Sequence, residues 1–411
     1  MYAVLVLVSL VVLGSARGVV AAELATPQIG QCRAASPLAK HVVWPGIYSL
    51  TTPMEAGDVD GDGDIDVVVT GTGAAIMWLA NAHPALGFSG HGVIEAADTT
   101  SGNLRVAALV VADLTGNGVV DVAACSFVPL RAIVWYENRG GGEFARRRVL
   151  GTDSTVNFYP RILATDIDAD GDLDLVWSLG DAGKFWWALN VDGRFPEVVM
   201  GASRRRTIVT MGDLDGDGQL ELIYYQDGIG ATPEAILYGS YGASGVQDEM
   251  TAFPISKLLS SMGAADIDGD GLDDVVLGTR SDWGVAWFRN NGASFSQMPS
   301  FTTRAVESRF IAADFDNDTD VDIEYVYRQS SSEARLVRAV NDGTGNFDVH
   351  EYVLPNRGGW SFVSVDINGD DVRDVIVALD STMELIVSPS NVSDWITTGF
   401  LTSTAKSRLV R

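Results

Sequence analysis

Nine residues, Asp58 to Asp66, read DVDGDGDID, and variants of this nonapeptide recur in register at Asp113, Asp166, Asp213, Asp266, Asp314 and Asp366. The spacings are 55, 53, 47, 53, 48 and 52 residues. A chain of 411 residues would by length alone suggest two or three domains. A demonstrable period overrides that expectation, because each repeat is then one supersecondary unit that buries its apolar face only against its neighbours. In the first copy the acids Asp58, Asp60, Asp62, Asp64 and Asp66 take the odd positions, with Gly61 and Gly63 between them. Several carboxylates therefore converge across a tight turn, which is a cage for a hard cation. Oxygen ligands at this density suit Ca²⁺, which accepts six to eight of them in flexible geometry, better than Zn²⁺, which prefers His and Cys. Two like charges about 4 Å apart otherwise repel by roughly 4 kcal/mol at an effective dielectric near 20.

The net charge of −26 marks discrete sites rather than an acidic tail, since 30 of the 54 acids lie within the seven nonapeptides. Seven divalent ions would reduce that charge to −12. With 46% hydrophobic and 9% aromatic residues the remainder can build a core, which argues against intrinsic disorder. An acidic chain of this kind is not a nucleic-acid binder, because neutralising phosphate needs clustered Lys and Arg.

The N-terminal MYAVLVLVSLVVLG reads as a secretory signal ending near Ala16 or Ala21, so residues 1–21 are assigned to it and the protein is expected to be secreted. The alternative, an uncleaved anchor, needs about 20 apolar residues, and the run to Gly14 is shorter. No second stretch approaches spanning length. Residues 22–39, with Pro27, Gly30 and Pro37, read as a tether, and 401–411 as a tail. Cys32 and Cys125 either pair as one disulfide or remain two buried thiols.

Each acidic loop lies between strand-like stretches, for example RILAT and LVWSL around the third. Position two is always apolar (Val59, Leu114, Ile167, Leu214, Ile267, Phe315, Ile367), and so is the residue after position nine (Val67, Val122, Leu175, Leu222, Val275, Ile323, Val375). Short β-branched runs bounded by Gly and Asp favour strands. A third strand follows in several repeats, as in WYENRGGGEF, WALNVDGRF and WFRNNGASF, and then a shorter fourth. Four strands in about 50 residues is the content of one propeller blade, and a ring of such units leaves no exposed sheet edge. The fold expected over residues 40–400 is all-β, a seven-bladed β-propeller with four antiparallel strands per blade. Either the strand at 40–44 or residues 394–399 completes the last blade, with the former preferred. An EF-hand array is excluded, because position twelve needs a bidentate Glu and here holds Val69, Ala124, Trp177, Tyr224, Leu277, Tyr325 and Val377.

These repeats resemble the FG-GAP and VCBS type, similar to those of integrin α-chain head domains, whose loop pattern D-x-D-x-D-G-x-x-D joins the first two strands of a blade. The resemblance covers nearly the whole of 40–400 and implies Ca²⁺ held by side chains at positions one, three, five and nine and by the backbone carbonyl at seven. On that basis loops one, three and five rank first. They keep Asp58, Asp60, Asp62 and Asp66; Asp166, Asp168, Asp170 and Asp174; and Asp266, Asp268, Asp270 and Asp274, with Gly at position six. Their position-seven residues are Asp64, Asp172 and Leu272. Loop four has Asp213, Asp215, Asp217 and Gln219, but the longer Glu221 stands at position nine. Loop six has Asp314, Asp316, Asp318, Asp320 and Asp322, with Thr319 where positive φ would strain a β-branched residue. Loop seven offers Asp366, Asn368, Asp370 and Asp374 with Asp371 at the turn, while loop two keeps only Asp113 and Asp121 as charges beside Thr115 and Asn117, and is expected weak or empty.

Nothing else in the sequence assembles a catalytic constellation. His41, His83, His91 and His350 form no H-E-x-x-H, no G-x-S-x-G occurs, and the histidines read as surface or strand-end packing. Arg146 to Arg148 and Arg204 to Arg206 read as charges protecting outer strands, with an anionic glycan or acidic protein patch as the alternative. Trp78, Trp135, Trp187 and Trp287 recur in equivalent third strands and read as packing between blades. Asn391 is a candidate glycosylation acceptor. The function expected is a calcium-stabilised, secreted adhesion or binding module for an extracellular protein or glycan. The alternative is an extracellular polysaccharide lyase or other sugar-modifying enzyme on a propeller scaffold, since fold alone does not choose.

Overall fold

Apolar residues at position two and at position ten, separated by an acidic turn, force the chain to enter and leave each turn as a buried hairpin. A computed structural model of the protein describes residues 40–45 and, with intervals left out between strands, most of 53–386. The signal, the tether, Cys32, the alternative closing segment at 394–399, Asn391 and the C-terminal tail all lie outside the described residues, as do Arg204 to Arg206. Cys125 is buried. Among the described residues no helix is long and apolar enough to cross a membrane.

The strands form four-stranded antiparallel sheets arranged as a β-propeller. Sheet one is typical, with β2 (Met54–Gly57), β3 (Asp66–Thr70), β4 (Ile76–Asn81) and β5 (Phe88–Glu95) hydrogen-bonded in that order. Six sheets are built in this way from four consecutive strands each. The seventh joins β26 (Ser361–Val365), β27 (Asp374–Leu379) and β28 (Thr382–Ile386) to β1 (Lys40–Pro45), which pairs antiparallel with β28 as the outermost strand. The ring is thus closed by the N-terminal strand, the arrangement preferred from sequence.

The apolar core lies between sheets. Seven hydrophobic clusters each combine residues of two consecutive sheets, and one of them sets Val363, Ile367 and Ile376 of sheet seven against Met54, Val67 and Leu79 of sheet one. All seven position-two residues and all seven position-ten residues are buried. The four recurrent tryptophans are buried in these clusters too. The ring of Trp135 meets Phe195 of the next sheet edge-on at 5.5 Å, a favoured aromatic geometry. Trp287 passes so close to Gly345 of the next sheet that a Cβ there would lie 2.5 Å from its ring. Arg146 is exposed on β9 (Phe144–Thr152), the outer strand of sheet two, as expected of an edge charge.

Polar staples run around the ring beside these cores. At the end of the third strand an Asn side chain donates to the position-two carbonyl of the preceding sheet. The pairs are Asn138 to Val59, Asn190 to Leu114, Asn290 to Leu214 and Asn341 to Ile267, each at 2.7 Å, and Asn81 to Ile367 at 2.9 Å. The last joins sheet one to sheet seven. Sheet four uses Tyr241 instead, whose hydroxyl donates to the Ile167 carbonyl at 2.5 Å. Asn290 is 1% exposed, and its amide also donates to the Asp273 carbonyl. Truncation therefore strands two carbonyls away from water. Asn290→Ala is expected to destabilise the protein by about 1–3 kcal/mol, read as a lower urea midpoint, whereas an unchanged midpoint would show that the staple carries no net stability.

Candidate metal loops

The geometry of each loop follows from which backbone N–H groups its acids accept. Position one always receives the N–H of position six: Gly63 to Asp58, Gly118 to Asp113, Gly171 to Asp166, Gly218 to Asp213, Gly271 to Asp266, Thr319 to Asp314 and Asp371 to Asp366. That bond requires a left-handed residue at position six. Five loops supply Gly there; Thr319 adopts φ 80° and Asp371 φ 66°. Thr319 thus carries the backbone strain expected of a β-branched side chain in that region. One oxygen of position five accepts the N–H of position seven in every loop, as in Asp62 with Asp64 and Asp170 with Asp172.

Position nine behaves differently. Asp66, Asp121, Asp174, Asp274, Asp322 and Asp374 are 0–1% exposed, and Glu221 is 9% exposed. One carboxylate oxygen of each accepts the position-two N–H of its own loop. In five sheets the other oxygen accepts the backbone N–H of the staple Asn at 2.6–2.8 Å. Glu221 reaches the Leu214 N–H at 2.9 Å, so the longer side chain fits the same bond in loop four.

Among the described residues, acid oxygens within 4.8 Å of one another occur in five loops. The groups are Asp58, Asp60 and Asp62; Asp166, Asp168 and Asp174; Asp213, Asp215 and Glu221; Asp266, Asp268 and Asp274; and Asp314, Asp316 and Asp322. They fall in loops one, three, four, five and six. Loop two forms no such group. Its Asn117 amide donates instead to the Asn138 carbonyl at 2.9 Å, a neutral link in place of a charge. The repeated acid groups can hold metal ions, and the test of fit lies at position three. Asp316 Oδ1 and Asp268 Oδ1 are buried without a hydrogen-bond partner, as is the Thr115 hydroxyl of loop two. Buried oxygens are ordinarily paired, and lone pairs left over beside other acids suit a cation.

Burial, followed by neighbouring loop acids, raises the carboxyl pKa at position three, to about 6 for Asp268 and Asp316. At position nine burial is again the leading cause, opposed by the two backbone N–H bonds. It raises Asp66, Asp121 and Asp174 to about 7, and Asp274 and Asp322 to about 8.

Two functional features escaped the sequence reading. The staple asparagines were visible as an Asn 15 to 19 residues beyond position nine, at Asn81, Asn138, Asn190, Asn290 and Asn341, although nothing there pointed to a partner in another repeat. The second is Arg289, which stands directly before Asn290 on β20 (Val285–Asn290). Its Nε lies 2.7 Å from Asp268 Oδ2 and its Nη2 3.2 Å from Asp270 Oδ2. Loop five therefore holds an internal cation against two of its acids. The corresponding residues of sheets one, two, three and six are Ala80, Glu137, Leu189 and Val340.

These features define an all-β propeller whose acidic turns join the first two strands of each sheet. The FG-GAP-like repeat family model matches at residues 58–124, 166–224 and 266–324, each match running from one loop into the second strand of the next sheet. The chain carries FG-GAP-type repeats on a β-propeller. Among solved structures it is similar to BBS1N in complex with ARL6DN, soaked with lead, at 12% identity and a TM-score of 0.55, covering 87% of this chain and 99% of that one. The mercury-soaked form of that complex gives 12% identity and a TM-score of 0.54 over 87% and 100%. A fucose-specific lectin from Aleuria aurantia gives 10% identity and a TM-score of 0.43 over 76% and 98%. At such identities the likeness is one of fold. No curated protein matches the chain.

The raised acids fix the sign of a pH effect in chelator. A carboxyl whose folded pKa exceeds its unfolded value near 4 favours the fold while protonated and loses that contribution as pH rises through the folded value. Between about pH 4 and pH 8 the metal-free protein should therefore lose stability as pH rises. A thermal melt in EDTA is expected to fall from pH 5 to pH 8, and a melt rising over that window would contradict the assignment.

Proposed function

We propose that this chain is a calcium-stabilised binding module, secreted and of the adhesion type, whose ring presents a surface to an extracellular protein or carbohydrate. The observation that carries the reading is the recurrence, in register, of clustered acid oxygens in five loops, with a position-three oxygen left buried and without a hydrogen-bond partner in loops five and six. Oxygen-only donor sets of this density suit Ca²⁺. Loop one would hold it with Asp58, Asp60, Asp62 and Asp66, loop three with Asp166, Asp168, Asp170 and Asp174, and loop four with Asp213, Asp215, Asp217 and Glu221. Loops five, six and seven would use the matching residues at 266–274, 314–322 and 366–374. The ion's role is structural, because it supports a turn that joins two strands of one sheet. Export is proposed from the apolar N-terminal run, and a binding role from the propeller scaffold with its repeats.

Calorimetric titration of chelator-treated protein is expected to show uptake of at least three Ca²⁺, and EDTA to lower the melting temperature reversibly. No uptake together with an unchanged melt would reject the reading. A glycan array probed with and without Ca²⁺ then tests the binding role, and depolymerisation of acidic polysaccharides would favour an enzyme instead.

Loop five makes a separate prediction, since Arg289 competes for the acids that would hold the ion. Replacing it, Arg289→Met, is expected to tighten the loop-five site roughly tenfold, the scale of removing one charge at close range. An unchanged binding isotherm would show that the guanidinium swings clear at no cost.

A further inference from the structure

Loop five departs from the other loops at position eight. That position holds Ile65, Val120, Leu173, Leu220 and Val321 in loops one, two, three, four and six, and Arg373 in loop seven. Loop five places Asp273 there, directly before its ninth-position acid Asp274. Asp273 is 9% exposed, and its polar groups are directed at the neighbouring loop. Its Oδ2 accepts the backbone N–H of Asp213 at 2.9 Å, and its own N–H donates to the Asp213 carbonyl at 3.0 Å. One residue of loop five thus clasps the main chain of the position-one acid of loop four from both sides. The Asp273 carbonyl in turn accepts from the Asn290 amide, which also reaches the Leu214 carbonyl of loop four, and the Asn290 backbone N–H donates to Asp274 Oδ1 at 2.7 Å.

Packing brings the two loops this close. Gly212, which ends β14 (Val209–Gly212), lacks a side chain where a Cβ would lie 2.5 Å from the Cβ of Ala264 on β18 (Leu259–Ala265) and 3.1 Å from Asp273 Oδ2. Leu272, at position seven, lies over the turn of loop four, its Cδ2 2.9 Å from where a Cβ on Gly216 would stand. The Asp273 carboxylate feels the charges of both position-one acids, Asp213 and Asp266, which sets it between the two acid groups.

These bonds make the order of one loop depend on the order of the other. Asp274 and Asp213 are candidate ligands of different ions, and Asp273 connects them. Fixing Asp274 fixes the adjoining Asp273, and Asp273 then holds Asp213 where its carboxylate takes the Gly216 and Gly218 N–H groups. An ordering cost met by the first ion is not met again by the second, which is positive cooperativity. By linkage the effect acts equally in both directions. The charge of Asp273 also offsets repulsion between two divalent ions. We propose that loops four and five take up Ca²⁺ as a cooperative pair, with Asp273 as the positioning residue that links them. The pairing rests on the calcium reading given above.

The test is a Ca²⁺ titration of the chelator-treated full chain, followed by NMR at the backbone N–H groups of Gly218 and Gly271, which report on loops four and five separately. Silencing loop five with Asp268→Asn and Asp270→Asn is expected to move the Gly218 midpoint to at least about fivefold higher Ca²⁺. Silencing loop four with Asp215→Asn and Asp217→Asn should move the Gly271 midpoint by the same factor. Asp273→Leu, which installs the residue type of position eight in loops three and four, should abolish both dependences, and Asp273→Ala replaces it should that variant not fold. Asp273→Asn, whose amide oxygen accepts the same N–H, should keep them. A role in packing alone would lower the melting temperature of Asp273→Leu and leave each loop sensitive to the other. The pairing is overturned, with the calcium reading intact, if only one glycine responds, if neither midpoint depends on the other loop, or if the dependence survives in Asp273→Leu. No Ca²⁺ response at either glycine of the parent chain would reject the calcium reading for these loops and the pairing with it.

Discussion

The carboxylate at position nine is the contact on which the remaining architecture depends. It sits in the driest part of each repeat, yet it keeps the shape of the turn by taking the position-two N–H with one oxygen and, in five sheets, the N–H at the end of the third strand with the other. A buried carboxylate is unfavourable unless hydrogen-bonded, and here the bonds it takes come from the turn and from the end of the third strand. The same Asn that supplies one of those N–H groups sends its side chain to the preceding sheet. Turn, sheet and ring are therefore held through one shared group, and a cation bound at the turn would act on all three.

The division of labour within a loop follows from this. Positions one and five are occupied largely with backbone N–H groups of the turn itself, and position nine with the strands. At position three Asp268 and Asp316 keep an oxygen without a hydrogen-bond partner, whereas Asp60, Asp215 and Asn368 accept the position-five N–H. Loop two shows what happens when the charges are lost: the turn persists through Asp113 and Asn117, and an amide replaces the acid cluster. The fold of a turn and its capacity for an ion are thus separable properties.

Much of the fold was legible because it rests on short-range chemistry. The loops, the apolar residues on either side of them and the third-strand tryptophans announce themselves by residue type at fixed offsets, while ring closure was legible only as a choice between 40–44 and 394–399, with the former preferred. What stayed hidden was contact between repeats. Asn138 and Val59 are 79 residues apart, and no local pattern ties an amide to a carbonyl at that distance. Tyr241 takes over the staple in sheet four from the same register, two residues beyond the partner of position ten, but as a different residue type that a search for Asn passes by. Arg289 was equally opaque, since its ion pairs depend on which way one strand-end side chain turns.

Because β1 is the outer strand of a sheet whose other three strands come from the far end of the chain, the wheel cannot be finished until nearly all of it has been synthesised. During translation β1 must wait for its partner while six sheets form behind it. Once β1 docks, every sheet has two neighbours and none is terminal, unlike an open solenoid, whose end repeats fray. Loss of any single sheet then opens the circle rather than shortening it, which makes the whole domain one cooperative unit.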